Sequence, residues 1–149
     1  MSTIAIVLLI IATLFLILRV VIIPNAPAKA LGLTAAGTLQ PCPTTPNCVS
    51  SQTDKVPAYV APLTLEGSMD EAMPRLRRVL AQVGPHEIKT ESADYLHAVF
   101  VTPLMGYRDD VEFLLDRSTS VMHVRSASRL GRKDFNVNRT RVEAIRSAL

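Results

Sequence analysis

Chemistry in this chain could come from three groups of residues. The first is Cys42 and Cys48, its only two cysteines, which flank a five-residue loop containing Pro43 and Pro46. A loop so short and so rich in proline can hold two Cα atoms within bonding range, and an oxidising compartment would keep the bridge closed. Two free, partly buried thiols are the alternative to that disulfide. Zinc needs about four ligands, but His86, His97 and His123 are scattered without paired spacing, so no metal site is expected. A nucleophilic Cys48 would need an adjacent base, and the spacing nominates none.

The second group is Arg108-Asp109-Asp110 with Glu112, and the third is the run from Arg125 to Arg139. If a strand continues through the start of that run, Arg125, Ala127 and Arg129 share a face, because side chains alternate along a strand. A neighbouring strand then puts Asp110 or Glu112 opposite the guanidiniums. Two arrangements are open. One is an internal carboxylate–arginine network that fixes the strand ends and the last loop. The other is a bidentate clamp for an anion, built from Arg125, Arg129 and Arg139. Asp109 and Asp110 are sequence neighbours, so on a strand they point to opposite faces and make a weak candidate for acid–base or metal work. His97 and His123 fall in strand-like segments and read as hydrogen-bonded structural residues. No Gly-rich phosphate loop, nucleophile elbow or paired-His motif occurs, so neither a catalytic residue nor a cofactor is expected. With 5% aromatic residues and no Trp there is no stacking platform for nucleic acid.

Helices and strands must position these groups. Ser68-Met69-Asp70-Glu71 has capping-box spacing, and Met69, Met73, Leu76, Leu80 and Val83 recur at helical spacing opposite Arg75, Arg77 and Arg78. Pro74 either bends the first turn or marks the start of this helix, and Gly84-Pro85 ends it. Strand-like segments follow at residues 87–91, 95–102, 111–116 and 121–126, with connections short enough for an antiparallel meander. A last helix takes Asn138 as its N-cap and Val137 with Val142 as a hydrophobic staple. Its buried stripe is Val142, Ile145 and Leu149, which leaves Arg139, Arg141 and Arg146 mostly outside. The expected domain is therefore α+β, a four-stranded antiparallel sheet with two helices on one face.

Ahead of this domain (residues 42–149) lie an anchor, residues 1–23, and a Pro-rich linker, residues 24–41, read as a spacer leading away from a membrane. Residues 4–23 are apolar except for Thr13 and Arg19. As a helix rising ~1.5 Å per residue they span ~30 Å, the thickness of a hydrocarbon core. Arg19 can snorkel to the headgroups, and Pro24 stops the helix. The apolar run is too long for a cleaved signal peptide and no Lys or Arg precedes it, so a retained single-pass anchor is expected. Arg19 and Lys29 on its C-terminal flank favour a cytoplasmic domain, whereas the cysteine pair favours the periplasmic side and tips the expectation that way. Charge is unevenly spread. Residues 42–124 carry seven basic and eleven acidic side chains, residues 125–149 seven basic and two acidic. The two regions can neutralise each other in the fold, or the basic end can face a lipid headgroup, a phosphate or an acidic partner.

Three ordered blocks, PCPTTPNCVSSQ, ADYLHAVFVTPLMGYRDDVEFLLD and VRSASRLGRKDFNVNRTRVEAIR, resemble the signature blocks of an uncharacterised family, the domain of unknown function 1499. The resemblance runs from about Leu39 to Leu149. Where the family has S-P-N-C-V-S-S, this chain has Thr45 in the first place. Where the family has an aromatic with Asp-Leu-Gly before V-N-R, it has Arg132-Lys133-Asp134-Phe135-Asn136 and so lacks a glycine before the last helix. The resemblance implies mostly bacterial and organellar proteins, often secreted, lipid-anchored or membrane-anchored, with no established catalytic residues, and so an inner (or organellar inner) membrane for the anchor. For some eukaryotic relatives it implies an accessory role in respiratory complex I. The functional expectation is a non-catalytic accessory or scaffold domain on a larger membrane protein complex. The alternative is a module that binds an anionic lipid or small anion through its C-terminal arginines.

Overall fold

A computed structural model describes residues 2–149. Four longer segments run as consecutive neighbours through one antiparallel sheet. In chain order, two short strands precede them, β1 (Cys48–Ser50) and β2 (Leu63–Thr64), followed by β3 (His86–Glu91), β4 (Tyr95–Val101), β5 (Arg108–Asp116) and β6 (Val121–Ser128). The sheet thus has six strands where the sequence predicts four. At three and two residues, β1 and β2 are too short to display a period of two. They are strands because β6 would otherwise end the sheet with unpaired backbone groups. Instead β1 pairs along Arg125–Ala127 and β2 along Val121 and Met122.

Alternation gives the sheet two different faces. Val111, Phe113 and Leu115 of β5 point to one side, where α2 (Ala72–Val83) and α3 (Val137–Ala148) cover them. Leu76 and Leu80 of α2 and Val142 and Ile145 of α3 are fully buried there with Leu96, Phe113 and Val124. The other face carries Asp110 and Glu112. The Ser68 hydroxyl accepts from the Asp70 N–H and caps a 3-10 turn, Met69–Glu71, instead of the α-helix itself. Because α2 starts at Ala72, Pro74 falls in its first turn, where N–H groups have no intrahelical acceptor and proline forfeits no bond. Asn138, expected as a cap, lies inside α3 and is buried. The start of α3 is served by Asp134, whose carboxylate accepts from the backbone N–H groups of Asn136 and Asn138.

The N-terminal helix α1 (Thr3–Ile17) continues through a π-helical stretch, Leu18–Ile22, giving a helix long and apolar enough to cross a membrane. Arg19 turns back to the domain, donating from Nε to the Leu104 carbonyl at 3.2 Å. Its guanidinium lies against Gly106, which has no Cβ to exclude it and a φ of +73°. Residues 24–41 form a strap across the charged face of the sheet. Ile23, Ala26 and Leu39 are buried, and Leu33 bridges Leu39. Proline-rich chain lacks donors for a regular ladder, so the strap is seated by individual contacts. At its end the Cys42–Cys48 disulfide, with Cα atoms 5.7 Å apart, fastens it to β1.

Phe113→Ala, which empties the centre of the core, should lower the unfolding free energy by about 3–5 kcal/mol in urea titrations followed by circular dichroism. Leu33→Ala, at an exposed position of the strap, should change it by no more than about 0.5 kcal/mol.

Candidate functional site, a charge network between sheet and strap

Three strands and the strap bring polar groups to the same face. Glu112 on β5 lies opposite His97 on β4 and opposite Arg125 on β6. Arg125 donates to Glu112 Oε2 at 2.6 Å, with the two side chains 1% and 0% exposed. The other carboxylate oxygen accepts from the Tyr95 hydroxyl at 2.7 Å and from the Gly32 N–H of the strap at 2.6 Å. Burial, followed by the bond to Glu112, pushes the Tyr95 hydroxyl well above its ordinary range, so it stays a donor.

Two residues earlier on β5, Asp110 accepts from His97 Nε2 at 2.8 Å. Arg129 grips the same carboxylate with both ends of its fork, Nε at 2.9 Å and Nη2 at 2.8 Å. Burial acts to raise the Asp110 carboxyl, but hydrogen bonds from His97 and Arg129 outweigh it and hold the group below its ordinary value. Arg129 also donates to the Ala26 carbonyl of the strap. Lys29, again on the strap, is lowered by burial and then by the nearby Arg125, and its ammonium donates to Asn47 Oδ1 at 2.9 Å.

Asp109 points to the opposite face. Arg141 of α3, expected outside, turns beneath the helix to reach Asp109 at 2.6 Å and lies over the Phe100 ring, 4.9 Å from its centroid. A carboxylate buried on the core side requires such a cation, and helical periodicity alone does not reveal that demand. Asn138 stands beside this pair, accepting from Ser126 and Arg141 and donating to Ser128 and Asp134. Asn47 joins the two faces. Its Oδ1 accepts from Lys29, its Nδ2 donates to the Gly131 carbonyl, and its own carbonyl accepts from Asn138. Sequence reasoning assigned this linkage to neither asparagine; their places in the Pro46–Ser51 and Asn136–Arg139 segments are the signal that could have found them.

The structure brings Arg125, Arg129, Asp110 and Glu112 together, and puts Asp109 on the far side of the sheet. Arg139 stays apart, donating to the Pro57 carbonyl at 3.0 Å. Arg125 and Arg129 are each turned to a carboxylate on the adjacent strand, so the three arginines do not make an open anion clamp. Both sulfurs are committed to the disulfide, and among the described residues no three His, Cys, Asp or Glu side chains converge as a metal-binding group. Arg125 Nε is the one buried side-chain nitrogen or oxygen among the described residues without a partner. Cavities lie elsewhere. One of about 430 Å³ opens beside the disulfide between Pro43, Lys55 and Arg139. Another, of about 500 Å³, opens at the foot of α1. What the charged face can do chemically is bind the strap.

A family model described as protein of unknown function (DUF1499) matches residues 38–149, which takes in every strand, α2 and α3. No curated protein and no solved structure matches the chain.

Arg125→Ala strands Glu112 in the interior and should cost about 3–5 kcal/mol in chemical denaturation, more than the paired change Arg125→Met with Glu112→Leu, which removes both charges. Asp110 titrates lower in the folded than in the unfolded state. Its contribution to stability is therefore complete above about pH 4 and is lost as pH falls through the folded value. Asp110→Asn should flatten the acid limb of a melting-temperature profile against pH.

Proposed function

This chain belongs to the DUF1499 family of proteins of unknown function, and on that premise we propose that it is a membrane-anchored, non-catalytic accessory domain that docks on a larger membrane protein complex. It is a single-pass protein of a bacterial or organellar inner membrane, with its domain on the periplasmic or equivalent side. The observation that carries this reading is the joint between anchor and domain. Arg19 at the foot of α1 is held by the Leu104 carbonyl and packed on Gly106, and the chain beyond it is buried at Ile23 and Ala26. A loose tether lets a domain search a volume; a packed joint fixes its orientation to the bilayer, which is what an accessory subunit requires.

Two further features support the same reading. The strongest candidates for reactive groups, Asp110, Glu112, His97 and the two cysteines, are closed on partners within the fold. The disulfide suits an oxidising compartment, and the bare apolar surface of α1 is available for packing against another membrane helix. Respiratory complex I is the first assembly to test, on the strength of the family resemblance.

Extraction of native membranes in mild detergent, then native electrophoresis with mass spectrometry, should find the chain in a high-mass band with a constant set of partners. Gly106→Ala, which strains a positive-φ position and displaces Arg19, should deplete that band several-fold. Migration of the wild-type chain solely as a free monomer would sink the proposal.

A further inference from the structure

Around the foot of α1 the domain exposes large apolar side chains on two loops distant in sequence. Phe135 is 91% exposed and Leu104 80%. Phe135 also has a φ of +53°, a left-handed conformation that disfavours bulky residues. The fold gathers both loops at one end of the membrane helix. A cavity of about 500 Å³ is lined by Leu18 and Ile22 of that helix together with Tyr107, Leu130, Lys133 and Phe135. Leu104 is joined to the same end of the helix by the hydrogen bond from Arg19. Charge is added beside Phe135. Arg132 and Lys133 are exposed there and, like Lys55, Arg75 and Arg78 elsewhere, enter no ion pair among the described residues; what sets them apart is their place beside Phe135 and the cavity.

We propose that this surface is the domain's seat on the bilayer, specific for anionic phospholipid. Leu104 and Phe135 enter the interfacial region beside α1. Arg132 and Lys133 meet headgroup phosphates, and the cavity against Leu18 and Ile22 receives part of an acyl chain. Lipid is the occupant because one wall of the cavity is the last part of the apolar helix itself, so its opening lies where hydrocarbon gives way to headgroups. Arg19 sets that level, since a guanidinium at the end of such a helix resides among the headgroups. Two unpaired cations next to an exposed aromatic complement a negatively charged leaflet. The inference rests on α1 crossing a bilayer, and it adds which face of the domain meets lipid and which lipid class it selects.

The test uses the full chain in nanodiscs of phosphatidylcholine, with or without phosphatidylglycerol, carrying a quencher on the acyl chains. Because the native cysteines are bonded to each other, one introduced cysteine can be labelled with an environment-sensitive fluorophore. Leu104→Cys and Phe135→Cys report the seat, and Leu9→Cys reports the anchor. Ala93→Cys, in the β3–β4 turn at the far end of the sheet, is the control. Quenching at Leu104→Cys and Phe135→Cys should exceed that at Ala93→Cys several-fold and be stronger with phosphatidylglycerol. Adding Arg132→Ala and Lys133→Ala should remove the lipid dependence, each cation near an anionic surface being worth roughly fivefold in binding. If Leu9→Cys is quenched while Leu104→Cys and Phe135→Cys are not, the lipid seat is overturned and the anchor stands. Shielding of those two positions only in native membranes would overturn it too, by assigning the surface to a protein partner. Equal quenching in both lipids overturns the selectivity. An unquenched Leu9→Cys overturns the anchor itself.

Discussion

Glu112 and Arg125 occupy one register position on neighbouring strands, and they must leave water together. Removing a carboxylate and a guanidinium from water costs several kcal/mol per ion, and their attraction offsets this only when the remaining lone pairs are filled. The sheet fills part of that requirement through the Tyr95 hydroxyl. A further bond comes from outside the sheet, from the Gly32 N–H of the strap, while Arg125 Nε keeps no partner. The strap is therefore a structural necessity: without it the central strand would present a half-satisfied ion pair to solvent. Its path follows from the same demand, with Ala26 accepting from Arg129 and Lys29 reaching Asn47. The disulfide then holds the strap's end on β1.

The two faces of the sheet solve the same electrostatic problem with different covers. On the core side Asp109 is neutralised by Arg141, carried on a helix whose apolar stripe packs against Phe113 and Val124. On the other side Asp110 and Glu112 are neutralised within the sheet and sealed by irregular chain. Asn47 ties these covers together, because its side chain holds Lys29 and its carbonyl holds Asn138 at the start of α3. That amide is fully buried.

This construction bears on function through the joint at Arg19. The family-matched portion, residues 38–149, contains every strand and both packed helices, while the segment before it supplies Lys29, Gly32 and the apolar N-terminal helix. Anchor and strap are one continuous piece of chain, so the piece that satisfies Glu112 also fixes how the apolar helix meets the domain. Leu104 and Phe135 stay exposed near the end of that helix, while the charged network is used up inside.

Local pattern in the sequence was enough to determine the apolar helix, the α+β class, the four longer strands and the two helices of the domain. It also placed Arg125 and Arg129 on one face and set Asp109 against Asp110, since both follow from strand alternation. Strands β1 and β2 were not legible, because two or three residues carry no period and the open edge of β6 is what recruits them. Arg141 was misplaced because a helical wheel registers its polarity and not the buried carboxylate waiting beneath it. Whether Arg125 and Arg129 would serve an outside anion or an inside carboxylate was decided only in three dimensions. The outcome turned on whether anything closes over Glu112, and the group that does, the Gly32 N–H, lies 80 residues away along the chain. No local pattern encodes a contact across that separation; burial of the ion pair does.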